Sequence, residues 1–298
     1  MKDAQQNIFL FGATGTIGRA LVNYLRPAVD AGGIALRLGV RDTERIPPQH
    51  LGPVELIATD LDWPVDKLAE ALRGSNTLFL LTGYTERMIE QSARAIDAAR
   101  RTGITHVVHL GAHAAMDTSV EHLQWHLEVE RLLDLSGIAW TNLRPNWLMQ
   151  NVLRSLSSSD EGITIGCSIP ADTPVSWVDA DDVARLAASI LQRPSGHEQQ
   201  IYTLAPERRS YSEIAAIVAA TLDVPCQIFE IPVRTLADRA RAHGDPGYRR
   251  SALHYMECVR DNKIPDCADI YGIERWLGRR HRDWHLFIAE NRNLFERR

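Results

Sequence analysis

The sequence predicts an α/β protein, a doubly wound parallel sheet followed by a smaller, mostly helical C-terminal lobe. Three observations predict it. Over residues 1–145, short apolar runs alternate with stretches of helical spacing, the pattern of strand–helix–strand units with parallel strands. The strand runs are apolar without interruption, as strands covered on both faces are. The chain has 298 residues, 45% hydrophobic and 24% charged, which suits a large α/β domain with an appended lobe and excludes a fibrous or disordered chain.

The elements follow in order. Asn7–Phe11 is an apolar run that enters a glycine turn directly, so it reads as a buried strand rather than a secretion signal. Residues 16–25 have helical spacing, with Ile17, Ala20, Leu21 and Leu25 on one face. Strands are predicted at 34–40, 54–58, 77–81, 104–110 and 139–143, and helices at 65–72, 86–101 and 120–135. Beyond Pro145 the pattern loosens. Residues 147–156 are expected to be helical and Ser157, Ser158 and Ser159 to form a loop. A helix is predicted at 179–191, a strand at 200–204 and a short strand at 227–231. Another helix spans 211–222, announced by Ser210 with Glu213 three residues on, a capping box. The remainder, 233–298, is expected to be largely helical. The first domain is set at 1–150 and the second lobe at 151–298, partly intertwined because late strands of such folds return to the first sheet.

Charge narrows the partners. The net charge is −5, with +3 on residues 241–298 and therefore −8 on the rest, which argues against a nucleic-acid binder. No apolar run reaches membrane-spanning length. Cys167, Cys226, Cys258 and Cys267 form no CxxC or zinc spacing and read as ordinary thiols in a reducing compartment. A cytoplasmic protein with a small-molecule substrate, and neither membrane nor nucleic acid as partner, is expected; a homo-oligomer is compatible with the sequence.

The sharpest motif is Gly12-Ala13-Thr14-Gly15-Thr16-Ile17-Gly18, fed by a strand and left by a helix. Gly12 allows the tight turn, Gly15 lets the backbone approach a pyrophosphate, and Gly18 lets helix and sheet pack closely. The helix N-terminus offers unpaired N–H groups to the phosphates. This is the fingerprint of a dinucleotide-binding Rossmann domain. An acidic residue ending the second strand would favour NAD. Here Arg41 stands at that edge, and its guanidinium suits a 2′-phosphate, so NADP(H) is preferred over NAD(H); Asp42, one position on, would reverse the preference if it took that place. Asp60 and Leu61, after the third strand, fall at the adenine edge, where Asp60 alternatively serves as a turn residue. Thr82 and Gly83, after the fourth strand, fall on the nicotinamide side.

Three ordered blocks carry a family resemblance. They are His126–Asn151, which includes Glu130, Arg144 and Pro145; Val175–Ala184, with Asp179 and Asp182; and Tyr202–Pro206 before a Tyr-Ser-Glu-Ile helix. With the glycine spacing, these resemble the NmrA-like branch of the atypical short-chain dehydrogenases/reductases, over roughly residues 7 to 235. The resemblance implies a Rossmann domain plus a small helical lobe, with substrate lying between them over the nicotinamide, and Pro145 counted among the cofactor residues. It implies NAD(P)H-dependent reduction of quinones, azo or triarylmethane dyes, or iminium compounds. The branch also contains redox-sensing regulators that bind NADP without turnover.

Ordinary members of the superfamily use Tyr-x-x-x-Lys, the phenol protonating a developing alkoxide beside an ammonium. None of the seven tyrosines has lysine four residues on, and Lys2, Lys67 and Lys263 are the only lysines. In the resembling block the tyrosine and lysine positions are His122 and His126. They are i and i+4 on one helix and titrate near neutrality, so either is a candidate acid or ribose hydrogen-bonder, or else a polar helix residue with no chemical role. His106, His109 and His113 join them within 21 residues, but without the spacing of a zinc motif, so no metal is predicted. His113, in the loop after the fifth strand, and Tyr84, Trp147, Asn151 and Trp177, with Met149 nearby, are candidate substrate contacts; each aromatic serves equally well as core. The expected function is an NADPH-dependent reductase of a planar electrophilic acceptor. The alternative is a non-catalytic NADP sensor acting through a protein partner.

Overall fold

The computed structural model describes residues 6–44, 53–232, 235, 245–264, 269 and 272–296; Lys2, Cys267 and Tyr271 lie outside these. The first part of the chain runs β1 (Gln6–Phe11), α1 (Thr16–Asp30), β2 (Ile34–Val40), β3 (Glu55–Ala58), α2 (Val65–Leu72), β4 (Thr77–Leu80), α3 (Met88–Thr102), β5 (His106–Leu110), α4 (Glu121–Leu135) and β6 (Ala139–Pro145). Then come β7 (Trp147–Leu148), a 3₁₀ helix (Met149–Ser155), β8 (Leu156–Ser159), β9 (Gly162–Cys167), β10 (Val175–Val178), α5 (Ala180–Gln192), β11 (Gln200–Leu204), β12 (Glu207–Arg209), α6 (Tyr211–Leu222) and β13 (Cys226–Glu230). The described remainder carries α7 (Pro246–Arg260), α8 (Gly272–Leu277), α9 (Trp284–Glu290) and α10 (Arg292–Phe295).

Seven strands form one sheet in the order β11-β6-β5-β4-β1-β2-β3. The pairs β1–β2, β1–β4, β2–β3, β4–β5 and β5–β6 are all parallel, with Ile8 opposite both Leu36 and Thr77, and Val107 opposite Leu78 and Trp140. Their apolar runs are explained by burial: Ile8, Phe9, Leu10, Leu78, Phe79, Leu80, Val107 and Val108 are wholly inaccessible. The chain leaves β1 toward β2 and β3 on one side and returns to β4, β5 and β6 on the other. This reversal at β1 is the topological switch point of a doubly wound sheet, outside whose carboxyl ends ligands bind.

Two compact units are distinguished. One comprises residues 1–114, 123–144 and 183–202; the other comprises 115–122, 145–182 and 203–298. The chain crosses between them several times. The first unit holds most of the seven-stranded sheet. The second carries helices α6 to α10 and, beside them, two three-stranded sheets, β12-β10-β7 and β13-β9-β8. The serine run expected as a loop is β8, paired antiparallel to β9, and the helix expected at 147–156 is a short strand and a 3₁₀ helix. These strands have two to six residues, too few for a period to declare itself.

Local signals elsewhere do what their chemistry requires. Ser210 Oγ accepts from Glu213 N while Glu213 Oε2 accepts from Ser210 N, completing the capping box of α6. Asp245 accepts from Tyr248 N at the start of α7, with Pro246 in its first turn. Helix α1 runs past Pro27, where the sequence suggests a stop, and buries Val29 beyond it. In the second unit the core gathers Trp147, Trp177, Tyr211, Trp284, Phe287 and Phe295. An aromatic side chain buries roughly 150–250 Å², worth about 4–6 kcal/mol at ~25 cal/mol per Å².

Candidate functional site

The glycine turn is built as a phosphate cradle. Gly12 has φ +77°, and a Cβ there would meet the Leu81 side chain at 2.6 Å. Gly15 N donates to Gly12 O at 3.0 Å, closing the turn. A Cβ on Gly18 would lie 2.1 Å from Gly12 O, so only glycine lets α1 start so near the turn. A Cβ on Gly15 meets only Gly12 O, at 3.4 Å, which leaves its outer side clear. Gly15 caps α1 without a side-chain bond, and the first turn contains no acidic residue. Thr14, Gly15 and Thr16 are exposed, whereas Ile17 is buried beneath them. Open amides, a positive helix end and no competing carboxylate fit a dinucleotide pyrophosphate.

Arg41 follows β2 and is exposed; among the described residues no carboxylate pairs with it. The neighbouring Asp42 is engaged locally, its Oδ1 accepting from Glu44 N at 3.0 Å. Val40 O accepts from Thr59 N, which carries the register of the β2–β3 edge to Asp60. Asp60 accepts from Asp62 N at 2.9 Å and so shapes its own turn; Leu61 beside it is half-buried. Thr82 and Gly83 begin the loop after β4, Thr82 half-buried and Gly83 exposed. Pro145 closes β6 and is buried.

The two candidate acids take different partners. His126, in α4, lies with Nε2 3.3 Å from the Tyr84 hydroxyl, and their rings meet edge to face with centroids 5.5 Å apart. Behind it stands His109 of β5, ring centroid 6.0 Å from that of His126. His109 Nδ1 lies 3.0 Å from Asn142 Oδ1. His109 is wholly buried, and desolvation pushes its pKa below the ordinary value against the opposing pull of Glu130. Glu130 itself is held by Arg144 through two charge-assisted bonds, Arg144 Nε to Oε1 at 2.8 Å and Arg144 Nη2 to Oε2.

His122 is a different case. Its backbone N–H donates to Ser251 Oγ at 2.8 Å, and its Nδ1 lies 2.8 Å from the same hydroxyl. The ring sits edge-on to Tyr248 and Tyr255 at 5.3 and 5.8 Å, and burial pushes its pKa down to about 4. An imidazole with this partner favours, of the roles open to His122, that of a structural residue.

His106 and His109, three apart on β5, point to opposite faces and take different partners: His106 Nε2 bonds Thr141 Oγ1 at 2.8 Å, while His109 bonds the adjacent Asn142. Among the described residues no three His, Cys, Asp or Glu side chains gather as metal ligands. The substrate-facing candidates divide. Tyr84 is 41% exposed, His113 half-buried and Asn151 exposed. Trp177 is wholly buried, its Nε1 donating to Arg209 O at 2.9 Å, so packing claims it and it presents no surface to a substrate. Met149 is equally buried, and Trp147, 8% exposed, donates to Tyr255 Oη at 2.6 Å. The acidic block proves to be an anchor: Asp179 accepts from Gln150 at 2.6 Å and Arg282 Nε at 2.7 Å, and Asp182 from Arg282 N at 2.7 Å and Arg279 at 2.5 Å. Sequence reasoning missed the roles of His109, Asn142 and Ser251, whose partners lie 33 to 129 residues away.

The chain is similar to the NAD(P)H azoreductase of Xenophilus azovorans, 31% identical over 251 residues, covering 84% of this chain and 85% of that protein. It is also similar to the (4-alkanoyl-5-oxo-2,5-dihydrofuran-3-yl)methyl phosphate reductase of Streptomyces griseus, 29% identical, covering 95% and 98%. Its fold matches the crystal structure of a Citrobacter sp. triphenylmethane reductase complexed with NADP(H), with a TM-score of 0.77 at 21% identity, covering 95% and 99%. The family model described as NmrA-like matches residues 4–270. With this glycine cradle at the switch point of this sheet, the chain belongs to the NmrA-like family.

Proposed function

We propose that the chain is an NADPH-dependent reductase that delivers hydride to a planar, electrophilic organic acceptor of the quinone, azo, triarylmethane or iminium type. The observation that carries this reading is the glycine cradle, whose clear outer side and uncapped helix end stand beside the loop bearing Tyr84. The chain is an NAD(P)H-dependent oxidoreductase, like the NAD(P)H azoreductase to which it is similar.

The residues act in distinct ways. Amides of the Gly12–Gly18 turn and the α1 N-terminus hold the pyrophosphate. Arg41 pairs with the 2′-phosphate, which favours NADPH over NADH. Asp60 and Leu61 border the adenine, and Thr82 and Gly83 border the nicotinamide. Tyr84 and His113 face the acceptor, with His126 behind Tyr84. When bound, the reduced nicotinamide supplies the hydride and its electron pair; the protein orients a flat acceptor against it and excludes water.

Purified protein with NADPH and a panel of quinones, azo dyes, triarylmethane dyes and iminium compounds tests the reading. Reduced-nicotinamide absorbance is expected to fall with at least one class. Flat absorbance across the panel, with NADPH bound, replaces it with an NADP sensor.

A further inference from the structure

Tyr84 and His126 are 42 residues apart and meet at 3.3 Å. The phenol ring is open to solvent, whereas the imidazole behind it is only 4% exposed. The loop is fixed near the cofactor cradle, because the Leu81 side chain packs against Gly12. On its inner side His126 meets the His109 ring. His109, kept neutral by burial, donates Nδ1–H to Asn142 Oδ1, so its Nε2 carries the lone pair. That nitrogen is buried without a partner among the described residues, beside His126.

We propose that Tyr84 is the proton donor of the reduction and that His126 holds the resulting phenolate. The substrate class follows. The pair serves neutral acceptors whose reduced heteroatom is too basic to leave unprotonated, azo nitrogen foremost, and is idle for a cationic triarylmethane, which becomes neutral on taking hydride alone. This rests on the reductase reading above. In the step, hydride adds to one azo nitrogen and the N=N π bond breaks. The other nitrogen takes the Tyr84 proton, breaking O–H and forming N–H. His126 Nε2–H donates to the phenolate, which regains a proton from water before the next turnover. The acceptor gains two electrons and two hydrogens, and the cofactor loses the hydride. The 3.3 Å separation lies within the looser range of a catalytic bond before substrate binds.

The experiment compares wild type with Tyr84→Phe, using NADPH with a neutral azo dye and with a cationic triarylmethane dye. Azo reduction is expected to fall at least about tenfold, and at least about fivefold further than dye-cation reduction in the same variant. Equal losses on both dyes, or no loss on either, overturn the proposal. A wild-type protein that reduces neither dye defeats the reductase reading instead. A second readout then needs no turnover. The Tyr84 ionisation, taken as the tyrosinate absorbance difference between wild type and Tyr84→Phe, is expected to move by at least about half a pH unit in His126→Asn. His126→Gln serves if the asparagine variant unfolds. An unmoved titration overturns the proposal.

Discussion

Replacing Gly18 with alanine isolates the cradle from every other feature. The new methyl would lie 2.1 Å from Gly12 O, 2.8 Å from Gly12 C and 2.9 Å from Ala13 Cα, against an ordinary contact of 3.4 Å or more. All three neighbours are backbone, so no side chain can swing aside, and α1 must retreat by more than 1 Å from the turn. Overpacking of this kind costs about 1–3 kcal/mol in stability, roughly 2–10 °C in melting midpoint at this chain length. The retreat also moves the helix amides off the pyrophosphate. Losing one charge-assisted hydrogen bond costs about 1.5–3 kcal/mol, or about 10- to 150-fold in NADPH affinity. The assay is NADPH titration by fluorescence together with thermal unfolding. Gly33→Ala is the control, since its methyl meets only Ala28 O at 3.4 Å. If Gly18→Ala keeps both wild-type affinity and wild-type melting, close helix–turn packing is not what forms the cradle.

Three further outcomes follow. Arg41→Asp is expected to weaken NADPH by about ten- to a hundredfold and leave NADH nearly unchanged; equal titration shifts for both cofactors refute the 2′-phosphate role. Acid should destabilise the fold, because burial pushes His106 and His122 down to about 4 from 6.5. The unfolded chain then binds these protons first, so the stability is present above pH 6.5 and is lost as pH falls toward 4. Each histidine contributes about 2 kcal/mol of that loss by about pH 5, and denaturant midpoints that stay constant between about pH 7 and 5 contradict it. Ser251→Ala strips the buried His122 of its hydroxyl partner and should cost about 1–3 kcal/mol, read as a lower unfolding midpoint with NADPH affinity retained; an unchanged midpoint denies the link.

The sequence made the doubly wound sheet legible because its signals are local and repeated: continuous apolar strands such as Phe9–Phe11, the periodic face of α1 and the glycine turn between them. The small sheets were hidden because Ser157, Ser158 and Ser159 read as a loop until β9 pairs with them. The glycine cradle was legible for the same reason as the sheet, since seven consecutive residues carry it. The surroundings of the histidines were not. Nothing near His126 announces Tyr84, and nothing near His122 announces Ser251; those contacts arise only when strands and helices distant in sequence fold together. Trp177 stood open between core and substrate contact, and its surroundings are Trp147, Tyr211 and Trp284. Composition and spacing do not separate core from pocket for such residues.

A single-turnover experiment tests the central claim most directly. Protein is saturated with NADPH, freed of excess cofactor and mixed with an azo dye in stoichiometric amount. The account predicts that reduced-nicotinamide absorbance and dye colour disappear together, one cofactor per N=N bond converted to the hydrazo level. Bound NADPH whose absorbance persists beside an unbleached dye, and beside a quinone tried in its place, would contradict it.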